Sequence, residues 1–217
     1  MERRFTIVIF KFTMVICLLG CNSNPEFVTR LNEFEDITAM SVPAAHEELQ
    51  NLANSFVASP TTVTDLEKAY TRHSAMRERF AYFGWFLAHE AQQADALELK
   101  IRLRAFLLSA YSNTKKTTAR HWLAAGLKVI PSADMQKVFQ SWLKGDDPAM
   151  WKHATHALLC LDTKAAVSSF STIIENRKEN SKFLKEVREA VQDSECSSGN
   201  RERFLKAVNN NQPANTN

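Results

Sequence analysis

The sequence predicts an all-α fold, with helical hairpins stacked into a short solenoid and longer capping helices at its N-terminal side. Three observations predict it. From residue 41 onward, apolar residues recur at helical spacing nearly everywhere. The 217 residues include five glycines, too few for a turn-rich β fold or for glycine-rich phosphate loops. Residues 119–143 also match residues 150–174 at an offset of 31, and a fixed period of this size marks stacked hairpins.

The elements follow in chain order. Arg3 and Arg4 precede an apolar run from Phe5 to Leu19, broken by Thr6, Lys11 and Thr13 and closed by Gly20. A positive start, an apolar middle and a small residue before the cut make a secretory signal. A membrane span needs ~20 apolar residues in a row, and Lys11 interrupts this one. Residues 1–20 are therefore expected to be a signal peptide. Residues 21–40 alternate polar and apolar without a clear period and are expected to form a tether with a short helix. The domain is expected over 41–209, and 210–217 as a disordered tail with nothing to bury.

Ser41-Val42-Pro43 opens a helix to about Ala58, because serine caps and proline suits a first turn. Ser59-Pro60 breaks it. Thr64 with Glu67 forms a capping box. The stripe Leu66, Ala69, His73, Met76, Phe80, Phe83 and Leu87 then predicts one long helix to about Glu90. A second long helix is expected over 94–111. Shorter ones follow at 117–130, 132–144, 147–161, 163–176, 181–193 and 200–209, punctuated by Pro131 and by Gly145 to Pro148.

Two motifs carry family resemblances. Leu18-Leu19-Gly20-Cys21 resembles the lipobox of bacterial lipoproteins. The resemblance implies that the Cys21 thiol receives a diacylglyceryl group, that a peptidase cuts before it, and that the new amino group is acylated. One acyl chain holds a membrane marginally, whereas two or more anchor it stably. Asn22 in place of aspartate implies, by analogy with the family in enteric bacteria, an outer-membrane anchor facing the periplasm. The alternative is an ordinary signal with a chance cysteine. In the repeat, offset 31 places Leu127 on Leu158, Ile130 on Leu161, Phe139 on Phe170, Trp142 on Ile173 and Leu143 on Ile174. Continued, it takes Ile173 to Phe204 and Ile174 to Leu205. Ala154 to Leu161, then a turn, then Val167, Phe170 and Ile174 resemble a HEAT-type repeat over about 117–209. An irregular helical bundle is the alternative.

Removing the signal leaves 24 basic and 23 acidic residues, a balance that gives no argument for nucleic acid. Cys17 leaves with the signal, and lipidation would occupy Cys21. Cys160 and Cys196 remain, either as a disulfide in an oxidising compartment or as two separate thiols.

No enzyme signature emerges. His89-Glu90 starts the zinc-protease motif H-E-x-x-H, but Gln93 stands where the second histidine belongs. His153 and His156 lie three apart on one helix and could hold a metal, but His156 lies well off the core stripe and no carboxylate or cysteine follows at ligand spacing, so they read as a solvated pair. His121 lies one repeat earlier, near His153 in register. Cys160 has no charged activator near it in sequence. No metal or cofactor is expected.

Two surfaces are candidates for a partner. Tyr82, Trp85 and Phe86 point away from the main stripe of their helix, either as interface anchors or because that helix is packed on both sides. Lys137, Ser141 and Lys144 face outward on one helix, and offset 31 turns them into Ser168, Thr172 and Glu175 on another. The HEAT resemblance implies that this polar ladder lies on the concave face. The expected function is a membrane-anchored, non-catalytic, protein-binding lipoprotein of the bacterial envelope: a scaffold, an assembly factor, or an immunity or exclusion protein. Its partner would be another envelope protein or an incoming one. The rival expectation is an envelope hydrolase built from scattered His and Glu residues.

Overall fold

The computed structural model describes residues 26–34, 37–59, 61–161, 163–196 and 198–211. The signal segment, Cys21 and the last six residues lie outside them. The described residues form twelve α-helices and no strand: α1 (Glu26–Glu33), α2 (Ile37–Met40), α3 (Pro43–Val57), α4 (Thr62–Arg72), α5 (Arg77–Gln93), α6 (Leu97–Asn113), α7 (Thr117–Val129), α8 (Gln136–Lys144), α9 (Pro148–Cys160), α10 (Lys164–Asn176), α11 (Ser181–Gln192) and α12 (Ser198–Asn210). Among the described residues, no helix is long and apolar enough to cross a membrane.

The helices stack in two rows. In the odd row, α3, α5, α7, α9 and α11 each pack on the next. In the even row, α4 packs on α6, α8 on α10, and α10 on α12. One apolar core runs from Phe27 to Val208. The longer N-terminal helices are α5 and α6, of 17 residues each. Through their contacts they continue the two rows.

The offset-31 pairs are interior, as their periodicity requires. Leu127, Leu158, Phe139, Phe170, Leu143 and Ile174 are all fully buried. The third hairpin departs from the period. Phe204 packs on Phe170 with ring centroids 4.1 Å apart and the rings tilted by 31°, so the residue that meets Phe170 lies 34 positions on. The extra three residues come close to one helical turn, so the apolar face stays aligned.

Two boundaries differ from the sequence reading. The segment 21–40 is not all tether. Phe27, Val28, Leu31 and Met40 are buried, and Phe27 stacks on Phe83 at 5.5 Å and meets Phe56 edge-on at 5.6 Å. The domain therefore begins by residue 26. The single helix expected over 64–90 is two helices, α4 and α5, joined by a 3₁₀ turn at Ser74–Met76. The apolar stripe crosses this break without losing step, so periodicity alone does not reveal it. The side chain of Arg77 steadies the break, donating from Nε to the Tyr70 carbonyl at 3.3 Å.

Arginine does at several helix ends what glycine often does. Arg79 donates to the Leu31 carbonyl at 3.2 Å, Arg104 to Ile130 at 3.0 Å, and Arg177 to both Leu143 and Gly145 at 2.6 Å. Arg201 reaches the carbonyls of Ser194 and Cys196. The carbonyls of a helix's last turn lack intrahelical partners, and a guanidinium satisfies them while complementing the helix dipole. The end of α5 uses a different device. Asp95 adopts a left-handed conformation (φ 48°), while Ala96 N–H bonds the Ala91 carbonyl at 3.0 Å and Asp95 N–H that of Gln92 at 3.3 Å. This is the Schellman pattern with aspartate in glycine's place.

Candidate functional site

The polar ladder is where the sequence puts it. Lys137, Ser141 and Lys144 on α8, and Ser168, Thr172 and Glu175 on α10, are all exposed. The two helices pack side by side in the even row, and Gln136 Nε2 donates to Ser169 Oγ at 3.0 Å beside the ladder. At the 34-residue spacing of the third hairpin, the next rung on α12 is Glu202, Lys206 and Asn209, also exposed.

The ladder borders a groove. Between α6 and α8 lies a cavity of 480 Å³, and ladder residue Ser141 is on its wall. Tyr111 of α6 and Trp142 of α8 meet there with ring centroids 5.0 Å apart. Arg120 of α7 lies over the Tyr111 ring at 4.6 Å and donates to its hydroxyl at 2.9 Å. Tyrosine, tryptophan and arginine are the residue types that most often dominate binding energy at protein interfaces. The sequence reading missed this groove, because its three anchors come from three helices and share no motif.

His121 faces the same groove. Its Nε2 lies 2.7 Å from Asp147 Oδ2. Asp147 also caps α9 by accepting from Ala149 N–H at 3.0 Å. These bonds hold the Asp147 carboxyl below the usual carboxylate range against the opposing effect of burial. His153 does not line this cavity. The histidine and the acid are thus together, but without the second histidine.

The aromatic patch is not a surface. Tyr82 and Phe86 are buried at 2% exposure, and Trp85 is half-buried. Tyr82 meets Trp122 of α7 at 4.3 Å, Trp85 stacks on Tyr82 at 5.5 Å, and His46 of α3 sits edge-on to Phe86 at 4.7 Å. Helix α5 is packed on both sides, and these rings join α3 to α7 through it. They belong to the packing of the domain and are not partner anchors.

The histidines of α9 are not solvated. His153 and His156 are both half-buried, and His153 Nδ1 is buried with no hydrogen-bond partner. Burial first, then the Lys128 charge, pushes His153 down to about 3 and His156 to about 4. His89 is lowered by the same two causes.

Cys160 and Cys196 are brought together as a disulfide, with Cα atoms 5.3 Å apart, inside the range that a bridge requires. Lys128, far from either cysteine in sequence, shares a cavity with both. A stacked fold supplies a charge that a linear scan for activators does not see.

No protein family, characterised protein or solved structure matches the chain.

Proposed function

We propose that the protein is a lipid-anchored binding module of the bacterial envelope. Cys21 is its attachment point, and the face that runs from the Tyr111–Arg120–Trp142 groove along the even-row ladder is its docking face for a partner protein. The observation that carries this reading is the meeting of ladder and groove at Ser141. A pocket with aromatic and arginine anchors opens directly onto a row of exposed polar residues, which is the usual plan of an interface core with its rim. The scaffold, assembly, immunity and exclusion roles all use such a face without chemistry of their own.

The hydrolase reading has one observation in its favour, the His121–Asp147 pair in the groove. Asp147 is also committed to capping α9, which gives the pair a structural role without catalysis.

The test is a pull-down from crosslinked envelopes, using the intact protein and a Trp142→Ala, Arg120→Ala double variant. Capture of a specific partner that the folded variant loses supports the docking face. Equal capture by both proteins removes it. Lipid labelling tests the anchor separately. Cys21→Ser should abolish labelling and leave unprocessed precursor, and label that persists refutes the lipobox.

A further inference from the structure

On the odd row, a second cavity of 680 Å³ gathers His89 of α5, Lys128 of α7, His156 and Cys160 of α9, and Cys196 from the turn before α12. The docking face does not use it. We propose that, once an external dithiol reductant has given two electrons to the Cys160–Cys196 disulfide and has itself become a disulfide, the two thiols lose their protons to solvent and, with His156 Nδ1, bind a zinc ion whose fourth coordination position opens into this cavity.

The geometry begins on one helix. His156 and Cys160 are four residues apart on α9, so their side chains lie one above the other on the same face. Cys196 arrives from 36 residues further on and completes the cluster. His156 Nδ1 lies 3.3 Å from Cys160 Sγ and 3.8 Å from Cys196 Sγ, and the three ligand atoms lie within 4.8 Å of one another. Zinc binds thiolate at ~2.3 Å and imidazole nitrogen at ~2.0–2.1 Å in a tetrahedron, which sets its sulfur–nitrogen edges at about 3.5 Å. The two observed distances lie on either side of that value.

The sulfurs themselves must separate. A tetrahedral dithiolate places them ~3.8 Å apart. With Cα atoms 5.3 Å apart, this separation calls for rotation about the Cα–Cβ bonds of Cys160 on α9 and of Cys196 in the turn before α12. Two thiolates with an imidazole select zinc over magnesium or calcium, which prefer oxygen ligands. Three protein ligands leave the fourth position to water or a small ligand from the cavity. A closed structural site would fill all four.

Cys160 does follow His156 at ligand spacing, contrary to the sequence reading, with its Sγ 3.3 Å from His156 Nδ1, but the third ligand is remote. His156 and Cys160 alone make half a motif, and the stacking of α11 and α12 against α9 supplies the rest.

The experiment uses the full chain with Cys17→Ser and Cys21→Ser, which leaves Cys160 and Cys196 as its thiols. The reduced protein is titrated with Co²⁺ and then with Zn²⁺. The expected result is one Co²⁺ per chain, with sulfur-to-metal charge-transfer bands and visible bands of tetrahedral intensity that one equivalent of Zn²⁺ removes. The disulfide form should give neither set of bands. His156→Ala and Cys196→Ser, verified as helical by circular dichroism, should lose one-to-one binding. If the reduced, folded protein binds no cobalt, or binds it without sulfur bands, the site is refuted. Unchanged affinity and spectrum in His156→Ala overturn it equally.

Discussion

Gly126 of α7 sits over the backbone of Gly84 in α5. A Cβ on Gly126 would stand 3.7 Å from the Gly84 carbonyl oxygen and 3.0 Å from Leu107 Cδ1 of α6. Absent side chains let the two odd-row helices close on each other with Leu107 wedged beside them. Gly126→Ala presses mainly on the movable end of a leucine and gains up to ~1 kcal/mol of helix propensity, so it should be close to neutral. Gly126→Val adds branches with no room and should cost about 1–3 kcal/mol, as overpacking does. Urea midpoints check both. A valine variant as stable as the alanine one would mean that the crossing is looser than described.

Histidine 153 gives a dependence on pH. Its ordinary value of 6.5 is pushed down to about 3 by burial first, then by Lys128 and His121 of α7, by His156 of α9, and against the opposing charge of Asp147. The folded protein leaves it neutral where the unfolded chain takes up a proton. Stability from this group is therefore complete above about pH 6.5 and is lost as pH falls toward about 3. The slope is at most ~1.4 kcal/mol per pH unit for one histidine. His156 is lowered to about 4 and contributes in the same direction. His153→Leu should flatten the stability profile between pH 5 and 6.5 without abolishing its slope. An unchanged slope would show that His153 takes up its proton equally in both states.

The disulfide has a cost of removal. Cys160 and Cys196 are 36 residues apart, and cross-linking a loop of that size removes roughly 3–4 kcal/mol of unfolded-chain entropy. A Cys160→Ala, Cys196→Ala double variant should lose about that much stability. Unreduced mature protein, denatured, should offer no thiol to a maleimide. Two reactive thiols would show that the pair is not bridged in the isolated protein.

Local signals in the chain made most of the fold legible. Pro43, Pro131 and Pro148 mark helix starts or turns, and the offset-31 pairs mark a stacked interior. The break at His73 was not legible, because Arg77 secures it while the stripe from Leu66 to Leu87 runs through. A short helix in the α1 segment is expected, but its place in the core is not legible, because Phe27, Val28 and Leu31 are too few to set a period and their burial depends on Phe56 and Phe83 far along the chain. The candidate sites divide the same way. The ladder lies within two similar helices, so an offset finds it. The groove and the histidine–cysteine cluster draw on several helices, and only the stacking of the rows brings their residues together.

The final prediction separates core from face. Phe139 and Phe170 are fully buried at equivalent positions of α8 and α10. Truncating either to alanine should destabilise by ~3–5 kcal/mol. The exposed ladder should behave otherwise, since surface substitutions usually stay within ~0.5 kcal/mol. Lys137→Glu with Lys144→Glu should leave the unfolding midpoint almost unchanged. If the even row is the docking face, the same pair should slow association with the partner at low salt, because exposed charges steer encounter more than they hold the complex. Added salt should narrow the difference as it screens both proteins. Trp142→Ala should act on dissociation instead, with a stability cost of its own, because Trp142 is 5% exposed and packs on Phe139 at 5.3 Å. The charge-reversed pair therefore decides the matter, since both lysines are exposed and the substitutions should leave the fold intact. Normal association at every salt concentration would take the ladder out of the interface.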